Sequence, residues 1–228
     1  MTTRIAVLGL YRSGSSAAAG VLHHLGVEMG APYWMDNYES ARLARRLRRW
    51  WDEPDLQERF PRTERVRKLR DWISFLEAGG ASHVGAKHPL LSLCGDDLVE
   101  AWGPTVRFIW TWRSLDESIA SIRRTGWWPE PKGEKLQRRL WDEVNRFFAG
   151  REHLRVDFSE MLADPGREMR RMAEYVELRP DNDRFAAALA SVRTDKRQPT
   201  DPPRPAAADE PERYRPSIAI RVVISGRA

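Results

Sequence analysis

The spacing of apolar residues changes several times along the chain, and each change marks an element. Residues 4–10, Arg-Ile-Ala-Val-Leu-Gly-Leu, form a short apolar run that ends in a glycine-containing loop. That pattern predicts a strand buried on both faces of a parallel sheet. Small and apolar side chains then continue over 16–25, as suits a helix packed on that sheet. Over 39–51, Leu43, Leu47, Trp50 and Trp51 recur at i, i+4, i+7 and i+8, while Arg42, Arg45, Arg46, Arg48 and Arg49 cover much of the remaining surface. This predicts a basic amphipathic helix that Glu39 opens. Val66, Leu69, Trp72, Ile73 and Leu76 repeat the period over 63–76, and Gly79-Gly80 stops it.

Residues 83–87 and 105–112 read as strands, the second rich in β-branched and aromatic side chains. Helices are expected over 114–124 and 135–148, with a strand over 153–156. Asp164-Pro165 then supplies a cap and a first-turn proline for a helix carrying Met169, Met172 and Val176. Strands that alternate with helices predict an α/β fold of three layers, a mainly parallel central sheet with helices on both faces and right-handed crossovers.

A chain of 228 residues suits one such domain, placed here at 1–193. From 194 onward Pro199, Pro202, Pro203, Pro205, Pro211 and Pro216 interrupt regular structure. The tail, 194–228, is expected to be extended, with alternation at Ile218, Ile220, Val222 and Ile224 consistent with a terminal edge strand. The lone cysteine, Cys94, excludes an intrachain disulfide framework and a cysteine zinc site, and no metal centre is expected. With no apolar run near membrane-spanning length and no signal-peptide pattern, a soluble, cytoplasmic protein is expected. The net charge of +5 comes from 33 Arg and 5 Lys against 33 acids, which decides little about partners by itself. Ten Trp are more than a core of this size needs, and some are expected to line a pocket.

The most informative stretch is Gly9-Leu10-Tyr11-Arg12-Ser13-Gly14-Ser15-Ser16, a G-x-x-x-x-G loop between a predicted strand and helix, as in P-loop NTPase-like folds. Such a loop turns successive backbone N–H groups and a helix N-terminus towards an anion. Nucleotide triphosphatases carry Lys directly after the second glycine, whereas Ser15 stands there and the nearby cation is Arg12.

The R-S-G-S-S sequence resembles the 5′-phosphosulfate loop of bacterial and carbohydrate-type sulfotransferases that use 3′-phosphoadenosine 5′-phosphosulfate (PAPS). A second motif agrees: Arg113 follows a predicted strand and Ser121 lies eight positions on, the spacing of that family's 3′-phosphate clamp. Residues 156–165 are similar to its strand followed by Y-E-D-L-x-x-D-P, with Phe158 and Ser159 departing from it. The resemblance implies that Arg12, Ser13, Gly14, Ser15, Ser16, Arg113 and Ser121 bind PAPS and its product PAP (3′-phosphoadenosine 5′-phosphate) without a metal. It assigns Lys87 in Gly85-Ala86-Lys87-His88-Pro89 to the transferring sulfuryl group, and Arg12, with the loop N–H groups, to the 5′-phosphosulfate and the departing phosphate oxygen.

Two residues compete as the base that takes the acceptor's proton. His88 has the side chain whose ordinary pKa lies near neutrality, but it is one register off the family's K-x-H form. Glu39 follows Asn37-Tyr38 in a region where the family often places a carboxylate, and we favour it. His23 and His24 read as structural. The acceptor is expected to be a small molecule or glycan, bound by loops at 31–38 and 125–134 and by the tail, with Trp127 and Trp128 able to floor the site. A divergent P-loop kinase is the alternative enzyme, although no predicted strand ends in a convincing magnesium-binding Asp. A nucleic-acid-binding module, with the Arg-rich helix as its face and Trp50 and Trp51 stacking on bases, ranks behind both.

Overall fold

The structure, a computed structural model, describes residues 2–34, 37–53 and 55–192. Its centre is a four-stranded sheet in the order β4-β1-β5-β6. The strands are β1 (Thr3–Gly9), β4 (His83–Lys87), β5 (Arg107–Trp112) and β6 (Leu154–Asp157). All are parallel: Val7 pairs with Lys87 on one side and with Ile109 on the other, and Trp112 pairs with Asp157. The carboxyl ends of all four strands therefore share one edge, where ligands bind in open α/β sheets.

The twofold alternation of β1 divides the core. Ile5 and Val7 face α1 (Ser15–Leu25), α8 (Pro165–Tyr175) and α9 (Asn182–Ser191), meeting Leu22, Met172 and Ala188 in one apolar cluster. Ala6 and Leu8 face the opposite layer, made by α2 (Ala41–Trp50), α3 (Arg62–Glu77), α4 (Gly95–Trp102) and α6 (Lys132–Phe148). Leu47, Leu69, Trp102 and Val144 fill that layer. A third cluster forms beyond the end of β1, where Leu10 and Tyr11 meet Leu136 and Leu140 of α6 and Ile122 of α5 (Leu115–Thr125). The expected α/β fold, with helices on both faces of a parallel sheet, is what the structure shows.

Several local readings need correction. The basic helix starts at Ala41, because Glu39 and Ser40 belong to an extended segment: Trp34 N–H donates to Glu39 O at 2.6 Å, and Tyr33 bridges Ser40. Glu39 thus precedes the helix cap rather than opening the first turn. Trp51 leaves the helix for a two-residue antiparallel ladder, β2 (Trp51–Asp52) with β3 (Gln57–Glu58). Trp50 and Trp51 are 1% and 5% exposed, so neither can stack on a nucleic-acid base. Three helices that the apolar period does not signal are present: α4, α7 (Phe158–Ala163) and α9. The domain boundary at 194 and the strand anticipated over 217–225 lie outside the described residues. Among those described, no helix is long and apolar enough to cross a membrane.

Candidate active site at the sheet edge

The loop after β1 is held by its carbonyls. Thr111 Oγ1 donates to Leu8 O (3.1 Å) and Ser92 Oγ to Gly9 O (3.0 Å), while Ser13 Oγ donates to Leu10 O (2.9 Å). Gln137 Nε2 donates to Tyr11 O at 2.8 Å and Arg113 Nη1 to Arg12 O at 3.2 Å. Five successive carbonyls are thereby turned into the protein. The N–H groups of Ser13, Gly14, Ser15 and Ser16 have no backbone carbonyl partner among the described residues. They stand at the N-terminus of α1, where orphan donors and the helix dipole favour an anion.

Two glycines permit this course. A Cβ on Gly9 would collide with Thr111 Oγ1 and lie 2.7 Å from Thr111 O; on Gly14, at φ 86°, it would collide with the Phe158 ring. Arg12 is also left-handed at φ 64°, a conformation that costs an ordinary residue about 1 kcal/mol. The Arg113 hydrogen bond to its carbonyl holds it there.

Arg12 and the Arg113/Ser121 pair, 101 and 109 positions apart, meet in space. Arg12 Nε donates to Ser121 Oγ at 3.3 Å, and its guanidinium lies 5.8 Å from the Trp127 ring centre. Ser114 caps α5 by accepting the Glu117 N–H, which sets the helix on which Ser121 sits two turns along. Arg113 lies over the Phe158 ring and 3.5 Å from Glu117 Oε2. The Ser13 hydroxyl faces inward, 2.9 Å from Thr111 Oγ1, so only its N–H faces the anion position.

On the other flank, β4 ends at Lys87. Its ammonium donates to Glu39 Oε1 at 2.7 Å and to Ser16 Oγ at 3.0 Å. Lys87 thus touches both the loop helix and the segment before α2. Burial alone would raise the Glu39 carboxyl, but the cations around it, Lys87 first, hold it below the ordinary carboxylate range. Glu39 is an ionised, buried carboxylate.

His88 Nδ1 accepts the Leu90 N–H at 3.1 Å, so the neutral ring carries its proton on Nε2. That nitrogen is buried without a hydrogen-bond partner among the described residues, 3.8 Å from Glu39 Oε2. Burial pushes the imidazole down to about 4. Tyr11 adjoins His88, ring centroids 6.4 Å apart: its hydroxyl donates to Glu53, and its ring meets Trp128 edge-on at 5.2 Å. Burial and Glu53 together push its phenol well up. His23 and His24 bond Tyr33 and Tyr38, each at 3.1 Å, and fasten these two tyrosines to α1, in line with a structural role.

Ser92, Thr111 and Gln137 hold the loop yet follow no motif. They come from a 3-10 helix (Pro89–Leu93), β5 and α6, and only tertiary contact reveals them. Glu53 and Arg48, whose charges act on His88, were likewise unsignalled as site residues.

A parallel sheet with a glycine loop at its central strand's end defines the class of fold. No protein-family model matches the sequence, and no curated protein matches it. Among solved structures, the chain is similar to the sulfotransferase domain of the Synechococcus PCC 7002 olefin synthase. The TM-score is 0.52 at 15% identity, covering 84% of this chain and 80% of that one. It is also similar to the sulfotransferase STF1 from Mycobacterium tuberculosis H37Rv, with TM-score 0.51 at 17% identity, covering 82% and 71%. The chain shares its fold with these two proteins.

Proposed function

We propose that the protein is a sulfotransferase that moves a sulfuryl group from PAPS to a hydroxyl, or less favourably an amine, of a small-molecule or glycan acceptor. The observation that carries this reading is the polarity of the loop after β1. Its carbonyls are tied inward, its N–H groups are open, and Arg12, Ser121 and Arg113 converge beside it. That donor set fits a ligand with two separated anionic groups. The N–H groups of Ser13, Gly14, Ser15 and Ser16, with Arg12, would hold the 5′ end; Arg113 and Ser121 would hold the 3′-phosphate.

PAPS supplies the activated sulfuryl group. Arg12 and Lys87 are cations placed to stabilise negative charge at the loop. Glu39 is our choice as base, because it is ionised and its Oε2 is not engaged by Lys87. His88 is less suited, since its free-facing nitrogen already bears the proton and burial disfavours a second one. The reading includes metal independence. For the kinase alternative, the acid at a strand end is Asp157, whose carboxylate is occupied in capping α7.

Calorimetric titration with PAP, beside ATP with magnesium, on wild type and Arg113→Ala tests the proposal. Tight PAP binding without metal that collapses in the variant is expected. A preference for ATP with magnesium, or no PAP binding, would overturn it.

A further inference from the structure

Most arginines on the helices of this protein are neutralised locally. Arg123 pairs with Glu134, Arg139 and Arg146 with Glu143, and Arg171 with Glu168. On α2, Arg42, Arg46, Arg48 and Arg49 have no ion pair among the described residues, and of these Arg48 alone has a buried guanidinium nitrogen without a hydrogen-bond partner. Its guanidinium lies 4.8 Å from the Trp34 ring centre, and the covered nitrogen is Nε. Arg48 as a whole is part-exposed, so the outer N–H groups of its fork can meet a bound anion while Nε stays covered. Stacking on Trp34 holds the planar fork in one orientation without using its in-plane donors.

The position of Arg48 says which anion that is. Its stacking partner Trp34 donates its backbone N–H to Glu39 O at 2.6 Å, which sets Arg48 beside the segment that carries Glu39 to Lys87 at the end of β4. Of the two acids there, Glu39 meets Lys87 through Oε1 and Glu53 accepts from Tyr11, and neither forms an ion pair with Arg48. The donor's phosphates, on the reading above, belong to the loop and to Arg113 and Ser121 at the end of β5. We propose that Arg48 is a specificity-determining residue for an acceptor that carries a carboxylate, sulfate or phosphate in addition to the hydroxyl that is modified. Trp128, half-buried and edge-on to the buried Tyr11, offers an aromatic face for the ring of such an acceptor. The inference deepens the sulfotransferase reading and rests on it.

The test uses the full chain with its donor site saturated by PAP, so that added anions cannot be credited to the loop. 4-Hydroxybenzoate and glucuronate are titrated beside their uncharged counterparts, 4-hydroxybenzyl alcohol and glucose, on wild type, Arg48→Met and Arg48→Lys. We expect at least one anionic probe to bind wild type about tenfold or more tightly than its counterpart. That preference should vanish in Arg48→Met and survive in part in Arg48→Lys, with PAP affinity unchanged as the control for folding. If Arg48→Met does not fold, Arg48→Lys carries the comparison. PAP binding intact, with neither anionic probe bound more tightly by wild type than by the variants, overturns the acceptor inference alone. Failure of wild type to bind PAP overturns it together with the reading beneath it.

Discussion

Lys87 Nζ lies 2.7 Å from Glu39 Oε1, and the two side chains are 3% and 9% exposed. The pair ties the end of β4 to the segment that leads into α2. Removing one member leaves the other charge buried and unpaired, which in proteins costs about 3–5 kcal/mol. Glu39→Ala should therefore lower stability by that order, and Lys87→Met in the same chain should restore part of it. Urea denaturation of the single and double variants measures the coupling. Equal and additive losses would mean that the two charges do not depend on each other.

His88 makes stability pH-dependent. Its pKa of about 4 in the folded chain lies below the ordinary 6.5, so between these values the unfolded chain binds a proton that the folded one refuses. Its contribution is full above about pH 6.5 and is lost as pH falls towards 4, by about 3 kcal/mol in all. His23 is also lowered, with the same sign, so the comparison needs His88→Asn. Urea midpoints across pH 4–7 should fall less steeply in the variant. Parallel curves would show that the imidazole titrates normally.

The two loop glycines should differ in tolerance. At Gly9 the obstacle to a Cβ includes the backbone oxygen of Thr111, which is fixed in the sheet; at Gly14 it is the Phe158 ring, which can turn. Gly9→Ala is expected to cost about 2 kcal/mol or more, and Gly14→Ala nearer to 1 kcal/mol, mostly from its left-handed backbone. Thermal unfolding ranks them. PAP affinity should nevertheless fall in both, because both displace the N–H groups.

Ser92 is a positioning residue. Its hydroxyl accepts the Gly9 N–H and donates to the Gly9 carbonyl, both at 3.0 Å. Ser92→Ala strands two buried backbone groups, at about 1–3 kcal/mol for each left without a partner. PAP should bind more weakly although Ser92 lies outside the donor set, and Ser92→Thr should recover binding if the added methyl is accommodated. Unchanged PAP affinity in a destabilised Ser92→Ala would confine the residue to stability.

Local pattern carried much of this fold. The apolar runs at 4–10 and 83–87 correspond to β1 and β4, and the heptad-like spacing from Val66 to Leu76 to α3. α4 escaped because its eight residues open with Gly-Asp-Asp and it is held by Trp102 and Leu98 in the core rather than by a long period. α9 escaped because its stripe is mostly alanine and small residues. In the candidate site, Arg12, Arg113 and Ser121 were picked out by their resemblance to a family's motifs, and the structure brings them together. Gln137 and Arg48 were not, since what distinguishes them is a partner, or the lack of one, far along the chain.

The carbonyls that shape the loop are held by Ser92, Thr111, Arg113 and Gln137, from four places up to 126 positions away. No partial assembly of the chain, whether a nascent N-terminal half or a fragment lacking α6, possesses the complete arrangement. On the proposed function, affinity for a phosphorylated nucleotide would report on assembly of the chain as far as α6, and a ligand held by this loop would draw the chain towards that arrangement by mass action.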